Sequence, residues 1–95
     1  KDKVMPGIVR RGDTNNAGGA TTTGESDFVV NNKPACVKNT PVKPHKPFKG
    51  KHLAAKTGST KPKFIINNKP ATVIGDPDKC GHTRANGSTD FIIGN

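Results

Sequence analysis

Three histidines and two cysteines are the residues of this chain best suited to holding a metal, and four of the five fall outside any strand-like stretch. His45 and His52 lie in the segment Lys38 to Thr57, and Cys80-Gly81-His82 lies in a second connector. If the two connectors meet at one end of the fold, three imidazoles and one thiolate converge, a donor set suited to tetrahedral zinc. As a bare motif the spacing matches no common zinc finger: there is no C-x₂-C pair, and six residues separate His45 from His52. The same residues also read as solvent-exposed loop histidines beside a free thiol, and the spacing does not choose between the two readings. Four protein ligands would leave no open position, so such an ion would be structural and would not activate water. A Cys36–Cys80 disulfide fits less well, because Cys80 has a histidine two residues away and Cys36 stands where Thr72 stands in a repeated stretch.

That repeated stretch is what must position the loops. Asp27-Phe-Val-Val-Asn-Asn-Lys-Pro-Ala-Cys36 recurs 36 residues later as Lys63-Phe-Ile-Ile-Asn-Asn-Lys-Pro-Ala-Thr72, and Asp90-Phe-Ile-Ile-Gly-Asn95 repeats its first half. In each copy a Phe and two β-branched residues predict a short strand. The polar pairs Asn31-Asn32, Asn67-Asn68 and Gly94-Asn95 tolerate left-handed backbone angles and predict tight hairpin turns. One unit used three times predicts a pseudo-three-fold fold of short β-hairpins sharing one core. The copies span about 27–37, 63–73 and 90–95 of a single domain, 1–95, with 38–57 as the metal-binding loop.

Between the copies the sequence reads as turns. Ile8-Val9 predicts a first strand ending at Arg10-Arg11. Gly12-Asp13 opens a loop at Thr14 to Gly19, just as Gly75-Asp76 opens one at Pro77 to His82. Each Asp follows a glycine, where local backbone hydrogen bonding explains it better than hydrolytic chemistry does. Lys61-Pro62 reads as an insertion before the second repeat strand, and proline at 34 and 70 belongs at the start or edge of a return strand. Helical periodicity extends to at most one turn, at Leu53 to Lys56. The 20-residue segment Lys38 to Thr57, with Pro41, Pro44 and Pro47, needs something to hold it.

Composition narrows the classes. One Leu, six Ile, seven Val and four Phe give the 95 residues a thin apolar inventory, so a metal, a partner or both should supplement the core. Sixteen Lys and Arg against seven acids, a net charge of +9, raise nucleic acid as a partner. The densest basic group, Lys38, Lys43, Lys46, Lys49, Lys51 and Lys56, interleaves with prolines and not with aromatics, which favours a solvated loop surface over a specific anion site. The Phe residues lie mainly in apolar strand triplets, so a basic nucleic-acid-binding β-domain is the lesser reading. No apolar stretch approaches membrane-spanning length, and Lys1 to Gly12 shows no signal-peptide core.

The two Asn-Asn-Lys-Pro-Ala stretches, at 31–35 and 67–71, with Gly12-Asp13, Gly75-Asp76 and the closing Gly87-Ser-Thr-Asp-Phe-Ile-Ile-Gly94, resemble the repeat of the PAAR-domain proteins, named for Pro-Ala-Ala-Arg. The resemblance covers essentially the whole chain. It departs where Cys36-Val37 and Thr72-Val73 replace the second Ala and the Arg, so no role of that arginine carries over. The resemblance implies a β-cone with one structural zinc near its apex, bound by three histidines and a cysteine: here His45, His52, Cys80 and His82. It further implies a base seated on a trimeric β-helical spike, VgrG in type VI secretion or its phage-tail equivalent, and transient passage into a target membrane. Such a tip would be assembled in the bacterial cytoplasm and expelled by contraction, or carried in a virion tail, with neither catalysis nor nucleic acid involved. Three repeats suit three spike subunits, predicting one chain per trimer. With each Phe and second aliphatic turned inward, Val29, Ile65 and Ile92 face the partner.

Overall fold

The structure is a computed structural model, and it describes residues 6–43 and 55–93. Among these residues there is no helix, and the strands are short and antiparallel. In chain order they are β1 (Glu25–Val30), β2 (Lys33–Ala35), β3 (Pro41–Val42), β4 (Ala55–Lys56), β5 (Lys61–Ile66) and β6 (Lys69–Ala71). They form three hairpins: β1 with β2, β3 with β4, and β5 with β6.

The repeat is visible in the register. Val29 stands opposite Pro34 and Val30 opposite Lys33, as Ile65 stands opposite Pro70 and Ile66 opposite Lys69. Both hairpins carry a bulge at the same place, between Glu25 and Val29 and between Lys61 and Ile65. Their two-residue turns put both asparagines at positive φ, 54° and 67° at Asn31 and Asn32 and 51° and 68° at Asn67 and Asn68. That is the backbone a right-twisted two-residue hairpin needs, and asparagine reaches it with little cost.

Two expectations are corrected here. Lys61-Pro62 is no insertion before the strand: these residues begin β5 and occupy the places of Glu25 and Ser26 in β1. The helical turn expected at Leu53 to Lys56 is contradicted at Ala55–Lys56, which pair with Val42 and Pro41 as β4. A ladder with β3 outweighs a helical propensity too short to nucleate by itself.

The third copy is whole, because its return strand comes from the start of the chain. Gly7 pairs with Ile92, Ile8 N donates to Phe91 O at 3.0 Å, and Ile93 N donates to Pro6 O at 3.0 Å. Residues 7–10 thus do for Phe91-Ile92-Ile93 what the stretches after the Asn-Asn turns do for β1 and β5. Three backbone bonds close a ring among the return strands: Cys36 N to Val9 O at 2.8 Å, Val9 N to Thr72 O at 2.9 Å, and Thr72 N to Cys36 O at 3.0 Å. A second ring, Arg11 N to Pro34 O, Lys38 N to Pro70 O and Ile74 N to Gly7 O, repeats the arrangement at 2.8–3.0 Å. These bonds make Gly7, Pro34 and Pro70 equivalent, likewise Val9, Cys36 and Thr72, and likewise Arg10, Val37 and Val73.

The core follows the same symmetry. Ile8, Ala35 and Ala71 meet at its centre with Val30, Ile66 and Ile93 around them. Against this cluster Phe28, Phe64 and Phe91 pack edge to face on one another, with centroids 6.2, 5.6 and 5.8 Å apart. Each such contact adds ~0.5–1.5 kcal/mol beyond the area it buries. The second aliphatic of every triplet is buried, while Val29, Ile65 and Ile92 stay 56%, 51% and 42% exposed.

Candidate functional site

Each return strand ends in the same turn. Asp13 N donates to Arg10 O, Thr40 N to Val37 O, and Asp76 N to Val73 O, at 3.0–3.2 Å. The side chains answer in kind: an Asp13 carboxylate oxygen accepts from Arg10 N, Thr40 Oγ1 from Val37 N, and an Asp76 oxygen from Val73 N. Gly12, Asn39 and Gly75 supply the positive φ in the three turns, at 92°, 71° and 94°. Asp13 and Asp76 are therefore turn-closing groups. Asp76 also accepts from the Thr60 hydroxyl, and Asp13 forms a two-pronged pair with Arg10 at 2.9 and 3.0 Å.

From these turns three connectors leave, closed by Thr14 opposite Ala20, Pro41 opposite Lys56, and Pro77 opposite Thr83. They bridge one another cyclically, through Thr21 and Val42, Thr57 and Asp78, and Arg84 and Asn15. All six of these residues are buried. This end of the molecule therefore has a mainly polar interior, held by hydrogen bonds, in contrast to the apolar interior behind the phenylalanines.

The third connector carries the expected thiol. Asp78 N donates to His82 O at 2.6 Å and Gly81 N to Asp78 O at 2.9 Å, with Gly81 at a φ of 100°. This tight turn brings Cys80 Sγ and His82 Nδ1 to 3.5 Å. Sulfur and nitrogen bound to one tetrahedral zinc stand about 3.6 Å apart, so the two side chains fit as neighbouring ligands. The first connector has the same turn, with Asn15 N donating to Gly19 O, Gly18 N donating to Asn15 O, and Gly18 at a φ of 84°, but Ala17 and Gly19 occupy the ligand places. His45 and His52 lie outside the described residues. The residues flanking their segment belong to the same cluster of connectors: Lys43 N donates to Ala20 O at 2.7 Å and Lys79 N to Lys56 O at 2.8 Å. Among the described residues no group of three or more His, Cys, Asp and Glu side chains forms a metal cluster.

Cys36 is a different kind of thiol. Neither cysteine is joined in a disulfide, and Cys36 is fully buried in the strand ring, its Sγ 3.5 Å from Thr23 O. Burial pushes the Cys36 thiol up to about 11. Because the folded value is raised, the unfolded chain ionises first, so stability is intact below about pH 9 and falls as the pH rises from 9 toward 11. Cys36→Ala should cost ~1 kcal/mol or less at neutral pH. Denaturation curves at pH 7 and pH 10.5 should show the variant losing less stability than the parent over that interval; equal losses would assign the alkaline sensitivity elsewhere.

Two residues escaped the sequence reading. Arg10 holds the last position of the Pro-Ala-Ala-Arg pattern in the third copy, so the arginine is present once; counting back from Gly12-Asp13, as from Gly75-Asp76, would have found it. Arg84, which the sequence does not single out, is 1% exposed. No local pattern announces its burial.

A family model for the PAAR motif matches residues 11–85. The chain belongs to the PAAR-motif family. A search of curated proteins returned no match. The PAAR motif fits a role at the spike tip of contractile injection systems. The described phenylalanines of this PAAR domain pack on one another and against the apolar cluster, as core residues do.

Proposed function

We propose that this chain is a non-enzymatic tip that caps a trimeric β-helical spike, VgrG or a phage-tail equivalent, with one chain per trimer. The observation that carries the reading is the pseudo-three-fold set Val29, Ile65 and Ile92, three exposed apolar residues on equivalent strands of one chain. A C₃ spike ends in three equivalent surfaces with unpaired strand edges, and one chain with three matching elements covers all three at once. The return strands lead from these hairpins to the connectors, so docking through the hairpins would leave the Cys80-Gly81-His82 turn clear of the spike. The contractile sheath does the work of driving the tip into a target membrane, and the cap contributes rigidity and a firm seat. Its place is the bacterial cytoplasm during assembly and outside the cell after firing, or the tail of a virion.

The metal belongs to this reading. Cys80 and His82, with His45 and His52, would hold one zinc ion, which supplies a cross-link between the segment 38–57 and the third connector. Cys80 and His82 already stand at ligand spacing, and the chain's own share is to fix that turn.

Native mass spectrometry of the chain with a trimeric spike tests the capping arm. One chain per trimer is expected, and three per trimer would end the model. Ile65→Glu should abolish co-purification while changing the melting temperature by only a few degrees, because the side chain is half exposed; unchanged docking in Val29→Glu, Ile65→Glu and Ile92→Glu alike would move the interface elsewhere.

A further inference from the structure

The three connectors are equivalent, yet they fill their shared interior differently. The first presents Asn15 and Thr21, the second Val42 and Thr57, and the third Asp78 and Arg84. The pair Asp78–Arg84 is joined at 2.8 Å, and both side chains are 0% exposed. Buried ion pairs are costly to desolvate and are seldom the most stable solution for a core. Two of the three connectors manage without one, so the turn geometry itself does not require the charges. The connector that has them is the one that carries Cys80 and His82.

The contacts show what the charges accomplish. Arg84 Nη2 donates to Asp78 Oδ2 and to Gly19 O, each at 2.8 Å, and Nη1 donates to Asp13 O at 3.0 Å. Asn15 Nδ2 adds a second bond to Asp78 Oδ2 at 2.8 Å. Asp78 in turn closes the ligand turn through its backbone, with its N–H on His82 O and its carbonyl receiving Gly81 N–H. One buried guanidinium thereby ties the base of the Cys80-Gly81-His82 turn to the first connector at two backbone carbonyls.

We propose that Arg84, acting through Asp78, is a positioning residue for the metal centre: it fixes the Cys80–His82 separation before the ion arrives. The inference rests on the metal reading above. Preorganised ligands lose less freedom on binding, so affinity for the ion should depend on this pair more than overall stability does.

The test uses the full chain and Co²⁺ as a spectroscopic probe. The double variant Asp78→Asn/Arg84→Thr gives the third connector the residues that the first one already folds with. It should fold, bind Co²⁺ 10- to 100-fold more weakly, and show altered ligand-field and thiolate-to-cobalt bands. Ile66→Ala, a truncation in the distant apolar core, should lower the melting temperature and leave the Co²⁺ affinity and spectrum unchanged. Should the double variant fail to fold, Arg84→Lys keeps the charge but loses the fork to Asp13 and Gly19, and should show the same changes at several-fold. Parent-like affinity and spectrum in the folded variant would overturn the proposal, as would an equal affinity loss in Ile66→Ala. Failure of the parent to bind Co²⁺ at all would instead overturn the metal reading on which it rests.

Discussion

Cys80→Ser is expected to strip most of the bound metal from the protein and to loosen the three connectors, while the phenylalanine-packed hairpins stay folded. A serine hydroxyl is a poor zinc ligand, and a structural ion contributes directly to folding free energy. The consequence is local because the two ends of the molecule are held differently. The connectors meet through a mainly polar interior whose net contribution is small, whereas Ile8, Val30, Ala35, Val37, Ile66, Ala71, Val73 and Ile93 form an apolar cluster of their own. A loss of ~2–3 kcal/mol, or roughly 10–20 °C in melting temperature, is the expected scale. Elemental analysis of protein purified without added metal gives the direct reading: about one equivalent of zinc in the parent and a small fraction of that in the variant. Hydrogen exchange should show the added opening in residues 77–84 and not in β1 or β5. Full metal retention after the substitution, or a parent without near-stoichiometric metal, would defeat the assignment. Because imidazole ligands bind metal only when neutral, the ion should also leave as the pH falls below the ordinary histidine range.

Gly7→Ala should be severely damaging, with the tightest clash that a Cβ would meet at any of the described glycines compared. A Cβ on Gly7 would stand 1.7 Å from Ser88 O and 2.9 Å from Ser88 C, both backbone atoms that no side-chain movement can clear. Relief requires the first strand to draw back, which endangers Ser88 N to Ile8 O at 2.9 Å and the two bonds that join Pro6 and Ile8 to the Phe91–Ile93 strand. The expected cost is ~3 kcal/mol or more, a large share of the ~5–15 kcal/mol by which domains are stable. The first copy reaches a similar close approach with its glycine on the opposite strand, where a Cβ on Gly24 would meet Pro34 Cβ and O at 2.7 Å. Thermal unfolding of Gly7→Ala within a few degrees of the parent would show that the approach is not tight.

Much of the base of this fold was legible because its signals are local. The Phe triplets, the Asn-Asn turns and the Pro-Ala return strands each carry their own backbone preference, and their repetition fixed the symmetry. Asn39-Thr40 was harder to see as the partner of Gly12-Asp13 and Gly75-Asp76, because asparagine can stand in for glycine at positive φ and a threonine hydroxyl for a carboxylate. Arg10 was overlooked for a different reason: its return strand lacks the Asn-Asn turn and the Pro-Ala pair, because its hairpin partner lies 80 or more residues away, and only the spacing back from Gly12-Asp13 marks it. Arg84 was illegible altogether, since its buried guanidinium depends on two carbonyls of the distant first connector, Asp13 O and Gly19 O, and on the Asp78 carboxylate. Of the expected ligands, Cys80 and His82 do come together, whereas His45 and His52 lie outside the described residues.

The strand pairing of Gly7 with Ile92 also governs how the molecule can be made. Their separation, 85 residues by their numbers, is nearly the full length of the chain, and contacts that distant are the slowest to form. During synthesis β1–β2 and β5–β6 can each zip as they emerge, because their partners are adjacent in sequence. Residues 7–10 have no partner strand of their own copy until Phe91-Ile92-Ile93 clears the ribosome. Until then the apolar face of Ile8 and its neighbours stays unsealed, and the third copy is the last of the three to be completed. Pulse-labelled hydrogen exchange during refolding should find the amides of Ile8 and Ile93 protected after those of Val30 and Ile66.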